Sequence, residues 1–455
     1  MAQASRNHPA VFGVDQVNGA GGRIMRADTG RKYRAHPDQT QERILIDWLH
    51  DARALWNLAL DHRLMVGVKH DGRRVWSTEQ CRLLTELRND PDPSLSWIRD
   101  LPAQSGQQIL RRLDQAFVNM ANPIHPAGAP VFKRRGERMG IPFPGQAVQF
   151  RKLNRRWAEV RFPVLGWLRV RLSRALGGTV RNATIARDGL GWHVSLGVHS
   201  GARPAAPNER PGCGVDFGVS ISAWVSTEPT GRSMRPTLTA GEERRLMALE
   251  RRKERQLTYA RKHRRGARSN RLNRTIAAIS GLRARQARRR LDFTHKLTTD
   301  LAKNHGFVGI EDLQVKNMTA SARRPRNAAH AARRKQKAGL NRGVLDNTPG
   351  ERRRQLAYKC PLYGSDLRAV PPQGTSQTCP SCEKRDPRNR LNCGRDFACV
   401  HCGHTDHADR AASIEIEARA RRMGDTVIKS TRSLRTEARG RTSGTRMRAA
   451  LAAAP

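Results

Sequence analysis

Most of the information about the fold lies in Gly212-Cys-Gly-Val-Asp-Phe-Gly-Val-Ser-Ile-Ser-Ala-Trp-Val225. The apolar residues and glycines of this segment predict two short strands joined by a turn that glycine permits. A second segment, Gly306-Phe-Val-Gly-Ile-Glu-Asp-Leu313, predicts a brief strand that ends in acidic residues. The second half of the chain is therefore predicted to contain short strands that carry acids, with Asp216 on the first and Glu311 at the end of the second.

Between these two segments the chain is predicted to form long, strongly basic helices, to about Asn304. From Arg244 to Arg290 there are 18 Lys and Arg residues and two acids, Glu250 and Glu254. The whole chain of 455 residues has 85 Lys and Arg, 40 Asp and Glu, and a net charge of +45. Because so many like charges would repel one another without an anionic partner, the chain is predicted to bind nucleic acid. A membrane surface fits less well, because the basic stretch lacks a continuous apolar face and no apolar run approaches the roughly 18 residues that span a bilayer.

The first half is predicted to be a small β-sheet or barrel with a helical insertion. Asp38 and Gln41 form a capping-box pattern, and apolar residues at three-to-four spacing follow them, which predicts an amphipathic helix. Residues 77–121 are predicted to be helical again. After about residue 147, apolar residues alternate with Arg and Lys, which predicts strands with a basic face. Asp188-Gly189 predicts the turn of a hairpin in this part of the chain.

The two ends of the chain lack such patterns. Residues 1–31 are predicted to be a disordered leader and residues 423–455 a disordered tail. The N-terminal residues also lack the basic-then-apolar layout of a secretory signal, which predicts a cytoplasmic protein with reduced thiols, associated with the nucleoid when bound to DNA. Clustered cysteines are then interpreted as metal ligands before disulfides.

Such a cluster is present as two short knuckles, Cys379-Pro-Ser-Cys382 and Cys399-Val-His-Cys402, separated by sixteen residues. Each knuckle presents two thiolates from one turn, and together they supply the four soft ligands that Zn²⁺ prefers in closed structural sites. The sequence therefore predicts a zinc ribbon. Four neighbouring side chains could substitute as ligands and rank below the four cysteines: Cys393, His401, His404 and His407.

Three acids stand out by their context: Asp216, Glu311 and Asp409, which begins a helical run after the cysteines. Taken singly, each has an ordinary interpretation as a turn residue, a strand-end charge or a helix N-cap. A two-metal phosphodiesterase, however, needs three or four carboxylates from distant segments to hold two Mg²⁺ about 4 Å apart. A nucleic-acid-binding chain would supply the substrate for such a site.

At these residues the sequence resembles the TnpB family of transposon-encoded RNA-guided nucleases, together with the similar small type V CRISPR effectors. The resemblance covers about residues 32–420 and is densest from 212 to 416. Five ordered segments carry it: Gly214-Val-Asp-Phe-Gly218, Ile310-Glu-Asp-Leu-Gln-Val-Lys-Asn-Met318, Gly339-Leu-Asn-Arg342, Thr375-Ser-Gln-Thr-Cys-Pro-Ser-Cys382 and His407-Ala-Asp-Arg-Ala-Ala412. Chance is a poor explanation for five segments in the same order.

The resemblance implies an α+β multidomain fold. A wedge-like β-barrel over 32–205, with a helical recognition insertion at about 40–145, would precede a RuvC-like nuclease domain of ribonuclease-H topology. That domain would occupy 206–370 and 404–422. Basic helices and a zinc ribbon at 371–403, which binds target nucleic acid, would interrupt it.

The resemblance also implies an RNA-guided DNA endonuclease. Asp216, Glu311 and Asp409 would be its catalytic carboxylates and would hold two Mg²⁺, while Cys379, Cys382, Cys399 and Cys402 would hold one structural Zn²⁺. A guide RNA and a target double-stranded DNA would form an RNA–DNA heteroduplex, and the protein would read only a short flanking motif. The basic helices would line the channel, with three candidate nucleic-acid contacts: Arg251, Arg252 and Arg255.

One departure from the family pattern affects the third carboxylate. The usual Asp-x-Asn-Ala motif has Ala411 in place of its Asn, and Asp406 competes with Asp409 for the role, although it lacks the small-residue helix that follows Asp409. A second hypothesis therefore stays open, an RNA-guided DNA-binding protein with weak or absent nuclease activity. A DDE-style transposase is disfavoured, because no segment supplies a separate end-binding module. The sequence does not distinguish a transposon protein from a CRISPR effector.

Overall fold

A computed structural model describes residues 28–69, 74–122, 127–134, 139–201, 205–320, 328–391 and 395–440. These residues form two compact units. The first unit comprises the described residues up to 201 together with Ala240–Arg285, and the second comprises 205–239 and the described residues from Gln286 onward. The fold is α+β, as the sequence predicted.

The first unit is built on a seven-stranded antiparallel sheet. Its strand order is β2-β6-β7-β1-β5-β4-β3. The predicted hairpin at Asp188-Gly189 is confirmed as the β6–β7 connection, in which Asp188 pairs with Gly191. The strands are β1 (Asp28–His36), β2 (Ile141–Pro144), β3 (Gln149–Lys152), β4 (Trp157–Phe162), β5 (Gly166–Arg171), β6 (Thr179–Asp188) and β7 (Gly191–His199).

Four helices are inserted between β1 and β2: α1 (Gln39–Lys69), α2 (Ser77–Asn89), α3 (Ser96–Asp100) and α4 (Ala103–Met120). The predicted capping box is confirmed, because Gln41 N donates to Asp38 Oδ1 at 2.8 Å and Asp38 N donates to Gln41 Oε1 at 3.3 Å. Apolar residues of α1 and α4 share one core with the sheet. This core holds the insertion on the sheet.

The basic helices α5 (Ala240–His263) and α6 (Asn270–Asn304) follow later in the chain. The sequence grouped them with the second half, but α5 and the first half of α6 belong to the first unit. The turn between β6 and β7 packs closely against α6, since a Cβ on Gly189 would lie 2.1 Å from the carbonyl oxygen of Ser280. Only glycine lets the β6–β7 turn approach α6 so closely.

The second unit contains a four-stranded mixed sheet of order β11-β10-β8-β9. Strands β8 (Cys213–Asp216), β10 (Phe307–Glu311) and β11 (Asp366–Val370) are parallel, and β9 (Trp224–Val225) is antiparallel to β8. The remaining helices are α7 (Val315–Met318), α8 (Ala328–Asp346), α9 (Pro349–Leu362) and α10 (Ala408–Gly440). Residues 375–407, which we call the cysteine segment because they include the two knuckles, add a small antiparallel sheet. Its strands are β12 (Arg390–Leu391), β13 (Asp396–Ala398) and β14 (Thr405–His407).

Two predicted boundaries differ from the structure. Strand β1 begins at Asp28, inside the predicted leader, because it pairs with β7 from Asp28 onward. Helix α10 continues to Gly440, so residues 423–440, predicted as a disordered tail, are helical. The segments 1–27 and 441–455 lie outside the described residues. Among the helices that the structure describes, none is both long enough and apolar enough to cross a bilayer.

Candidate functional site

Asp216 and Glu311 lie at the same end of two neighbouring strands. Asp216 is the last residue of β8 and Glu311 the last of β10. The two strands are parallel, and Val215 pairs with Ile310, so the acids follow at matching positions. Side chains alternate along a strand, so Gly214 and Asp216 project to one face, as do Gly309 and Glu311.

Helix α10 packs on this glycine face and brings the third acid. A Cβ on Gly214 would lie 2.0 Å from the carbonyl oxygen of Ser413, and a Cβ on Gly309 would lie 2.7 Å from the Cβ of Ala420. The helix therefore sits at a distance that only glycine permits. Its first turn carries Asp409, whose Oδ2 would lie 3.6 Å from a Cβ on Gly218, two residues after Asp216.

Glu311 and Asp409 act electrostatically on Asp216, and we call the three acids the carboxylate cluster: Asp216, Glu311 and Asp409. Burial raises the pKa of Asp216 to about 8, and the negative charges of Glu311 and Asp409 add to this rise, whereas Arg390 opposes it. Burial also raises the pKa of Glu311, against the hydrogen bond from Thr375 and the charges of Arg419 and Arg390. Divalent cations would relieve this repulsion, and carboxylate oxygens are the ligands that Mg²⁺ prefers.

The structure separates Asp409 from its competitor Asp406. Asp406 accepts from Arg410 Nη1 at 2.8 Å and from the backbone N–H of His407 at 2.7 Å. It is thus engaged within its own segment, while Asp409 belongs to the carboxylate cluster. Ala411, which replaces the family's Asn, is buried among Cys379, Phe397, Cys399 and Ala408.

The loop after Asp216 is held by a buried arginine of α9. Arg352 is fully buried and donates to the carbonyl oxygen of Ser222 and, at 3.1 Å, to Asn347 Oδ1. Its guanidinium carbon lies 5.1 Å from the ring centre of Phe217, which follows Asp216 directly. Burial lowers the pKa of Arg352 to about 10, so the side chain keeps its charge at neutral pH.

Two residues of the cysteine segment act on the carboxylates, and sequence reasoning did not single them out. Arg390 begins β12 and lowers the pKa of both Asp216 and Glu311. Thr375 Oγ1 donates to Glu311 Oε1 at 2.5 Å. Thr375 lies in one of the five segments that resemble the family, so the resemblance could have identified it as a candidate site residue. Arg390 stands among other arginines without a distinguishing pattern.

The four cysteines form the second group, which we call the cysteine cluster: Cys379, Cys382, Cys399 and Cys402. Their sulfur atoms lie within 4.8 Å of one another. Two pairs, Cys379 with Cys402 and Cys382 with Cys399, are separated by 3.6 Å. A tetrahedral zinc with bonds of about 2.3 Å has sulfur–sulfur edges of about 3.8 Å, so the geometry fits this ion.

Backbone N–H groups support the same interpretation. Ser381 N donates to Cys379 Sγ and His401 N to Cys399 Sγ, each at 3.4 Å, one from each knuckle. Of the alternative ligands, His401 Nε2 lies 3.6 Å from Asp386 Oδ2, and His407 stacks on Trp224 with 4.4 Å between ring centres. The ring centre of His404 lies 6.3 Å from that of Phe397, and Cys393 is outside the described residues.

The three candidate nucleic-acid contacts, Arg251, Arg252 and Arg255, are exposed on α5. Other arginines of the basic helices are neutralised within the unit, since Arg283 pairs with Glu250 at 2.7 Å and Arg285 with Glu242 at 2.6 Å. Within the part of the chain that the structure describes, the three α5 arginines have no acidic partner. They are therefore available to an external anion.

Three family models match the chain. A model described as "Cas12f1-like, TNB domain" matches residues 350–416, and one of OrfB of IS605, described as "Probable transposase", matches residues 194–322. A helix-turn-helix model of the same OrfB type matches residues 25–64. Together they cover the cysteine cluster, all three acids of the carboxylate cluster and the start of the first unit.

Two curated relatives align over most of their length. InsQ of Escherichia coli (strain K12), which carries the provisional name RNA-guided DNA endonuclease, is 33% identical over 331 residues, covering 72% of this chain and 76% of InsQ. A Streptomyces pristinaespiralis protein with the same provisional name is 28% identical over 378 residues, covering 81% of this chain and 85% of that protein.

Among solved structures, the chain is similar to Cas12f1 in a complex with sgRNA and target DNA, with a TM-score of 0.46 and 15% identity over 84% of this chain and 83% of that one. It is also similar to CasPhi-2 (Cas12j) bound to crRNA, with a TM-score of 0.40 and 10% identity over 86% of this chain and 98% of that one.

Proposed function

This chain belongs to the TnpB family, and we propose from this premise that it is an RNA-guided nuclease that cleaves DNA in a RuvC-like site. The observation that carries the proposal is the carboxylate cluster. Its three acids come from β8, β10 and α10, and two of them, Glu311 and Asp409, raise the pKa of Asp216 together with burial. The mixed sheet with acids at the ends of adjacent parallel strands supports a ribonuclease-H-like topology for the second unit.

Asp216, Glu311 and Asp409 would hold two Mg²⁺ by their carboxylate oxygens. When bound, such ions supply an activated water and stabilise the negative charge that develops on the phosphate. The chain's own groups would place the substrate: Arg390, whose positive charge lowers the pKa of both Asp216 and Glu311, would bind the scissile phosphate through its guanidinium group. The backbone of α10, fixed on Gly214 and Gly309, would keep Asp409 in register with the two strand acids.

The cysteine cluster would hold one structural Zn²⁺, because all four positions are filled by protein thiolates and none is left for substrate. The segment lies between Glu311 and Asp409 in the chain, so its folding around zinc would help to fix where the third acid arrives.

A guide RNA and target DNA would be the partners. The basic side chains that give the net charge of +45 would bind the phosphate backbones of the RNA and the DNA. Base pairing with the guide would select the target sequence, and the protein itself would recognise a short flanking motif. We assign the wedge role to the seven-stranded sheet of the first unit with its inserted helices, in place of the predicted barrel, and the nuclease domain to the second unit. One observation favours the second candidate function, a guided DNA-binding protein with weak cleavage: Ala411, in the place of the family's Asn, is buried in an apolar cluster and supplies no polar group.

The test is to purify the protein from cells that express its native locus, sequence the RNA that co-purifies, and incubate the complex with a plasmid library containing a matching target. We expect Mg²⁺-dependent cleavage of matched plasmids beside one flanking motif. Binding of matched plasmids without cleavage would favour the second candidate function. Cleavage that ignores the co-purified RNA would contradict both.

A further inference from the structure

Glu311 receives a hydrogen bond from outside the sheet that carries it. We infer that Thr375 is a positioning residue that fixes the Glu311 carboxylate for metal binding, and that the folded cysteine segment places it there. The inference rests on the proposed function, since it concerns how the carboxylate cluster holds its ions. Its direct observation is the Thr375 Oγ1 to Glu311 Oε1 hydrogen bond of 2.5 Å, made by a side chain that is only 2% exposed.

The hydroxyl group has one proton and two acceptors within reach. The carbonyl oxygen of Pro372 lies 3.0 Å from Thr375 Oγ1, which is farther than Glu311 Oε1. A carboxylate is the stronger acceptor of the two, so the proton goes to Glu311. The hydrogen bond to Oε1 restrains the rotation of the carboxylate group, and lone pairs on both of its oxygens stay available to a cation. Hydrogen bonds of this kind orient metal ligands.

The position of Thr375 is set by a turn that glycine starts. Gly374 has a φ of +80°, and its carbonyl oxygen accepts from Gln377 N at 3.0 Å and from Thr378 N at 3.1 Å. A Cβ on Gly374 would lie 2.6 Å from Arg385 Nε. The turn therefore has a backbone conformation that favours glycine and is packed against Arg385 of the segment that connects the two knuckles.

Both knuckles hold this turn. Cys379 follows Thr378 directly, so the first knuckle is a continuation of the turn. The second knuckle is connected through Asn389, which is fully buried. Its Nδ2 donates to the carbonyl oxygen of Gln377 at 2.8 Å, and its Oδ1 accepts from Val400 N, next to Cys399, at 3.0 Å. A path of short contacts thus links the cysteine cluster to Glu311.

The experiment compares Thr375→Val, which removes the hydroxyl group at nearly constant volume, with Thr375→Ser, which retains it. Thr378→Val is the matched control, because Thr378 lies in the same turn, is similarly buried, and its hydroxyl donates to the carbonyl oxygen of Gly374 at 3.0 Å instead of to an acid. Each full-length protein is purified with its RNA, and Mn²⁺ binding is followed by electron paramagnetic resonance. Ions in the carboxylate cluster are obtained as the difference from an Asp216→Ala complex with the same RNA.

We expect Thr375→Val to weaken Mn²⁺ binding at the cluster by about tenfold, with zinc content unchanged, because loss of a partner that orients a ligand costs about 10- to 100-fold in metal affinity. Thr375→Ser and Thr378→Val should bind Mn²⁺ as the original protein does. In a Glu311→Gln background, Thr375→Val should have no further effect. If Thr375→Val loses zinc, Thr375→Ala is measured in the same way.

Unchanged Mn²⁺ binding by the Thr375 variants would overturn the inference and leave the proposed function intact. An equal loss in Thr378→Val would also overturn it, since the effect would then belong to the turn. If the original protein binds no Mn²⁺ beyond the Asp216→Ala complex, the proposed function itself fails.

Discussion

The cysteine cluster is formed by residues of one short segment, whereas the carboxylate cluster is formed by residues of distant segments. The cysteine ligands all lie within residues 379–402, and two sulfur pairs are already 3.6 Å apart. The carboxylate ligands span residues 216–409, the charges of Glu311 and Asp409 raise the pKa of Asp216, and the third acid lies on α10, which packs on two glycines. A site made within one short segment depends on that segment. A site made between distant segments depends on the packing of the whole unit.

The largest effect is expected from the carboxylates themselves. Asp216→Ala or Glu311→Ala removes a metal ligand and its share of charge stabilisation, which is worth several kcal/mol. Cleavage should fall by about 10³-fold or more, while guide-RNA binding, which depends on the distributed basic surface, should stay within about twofold. Cleavage rates and RNA content of the purified complexes measure both. Full cleavage in both variants would contradict the assignment of the site.

Gly214→Ala leaves the three acids unsubstituted, but it should disrupt the arrangement of the carboxylate cluster while the cysteine cluster stays intact. Gly214→Ala places a methyl group 2.0 Å from the carbonyl oxygen of Ser413, so α10 must move. We expect about 1–3 kcal/mol of lost stability and about 10²-fold slower cleavage, because misplacement by about 1 Å has that cost. Melting temperature, zinc content and cleavage are the readouts.

Gly350→Ala is the control for this substitution, since Gly350 lies near the start of α9 in the same unit with no atom within 4 Å of its added Cβ. Equal behaviour of the two glycine variants would show that α10 does not depend on the close approach.

The complementary substitution removes a ligand of the cysteine cluster and leaves the carboxylate cluster unsubstituted. Cys399→Ser should abolish the bound zinc, unfold the segment around it, and slow cleavage by at least about tenfold, because Thr375 and Arg390 would no longer be held beside the acids. Zinc content by mass spectrometry and cleavage rates test this. Full cleavage by a zinc-free protein would separate the two clusters and contradict the coupling.

The smallest effect on cleavage is expected from the exposed arginines of α5, which belong to the first unit. Replacing Arg251, Arg252 and Arg255 together with Ala should weaken binding to all nucleic-acid sequences alike. It should also flatten the slope of log K against log salt by up to about 0.9 for each lost phosphate contact. Binding isotherms at several salt concentrations, on matched and mismatched targets, provide the measurement. A change in sequence preference instead would indicate contacts to base edges.

The sequence predicted features whose signal is local. The capping box of Asp38 and Gln41, the hairpin at Asp188-Gly189 and the two knuckles each depend on residues that are close in the chain. Arg390 and Thr375 were not predicted, because the hydrogen bond of Thr375 to Glu311 and the effect of the Arg390 charge on Asp216 and Glu311 exist only once the cysteine segment packs beside the sheet.

Two boundary errors have physical causes of the same kind. Residues 423–440 are rich in Arg, Thr and Ser, yet they continue a helix that packing on the sheet has already nucleated. The start of β1 at Asp28 follows from pairing with β7, a strand more than 160 residues later, which no local pattern reveals. Gly214 and Gly309 are evident in the sequence, but only the structure shows that α10 packs against them.

We propose that Asp409, carried on α10, completes a metal site with Asp216 and Glu311. The most direct measurement compares Asp409→Asn with Asp406→Asn, three residues apart, for Mg²⁺-dependent cleavage of a guide-matched plasmid by complexes of equal RNA content. We predict that Asp409→Asn loses cleavage by about 10³-fold, whereas Asp406→Asn, which loses its ion pair with Arg410, keeps most of it. Cleavage that persists in Asp409→Asn and disappears in Asp406→Asn would contradict it.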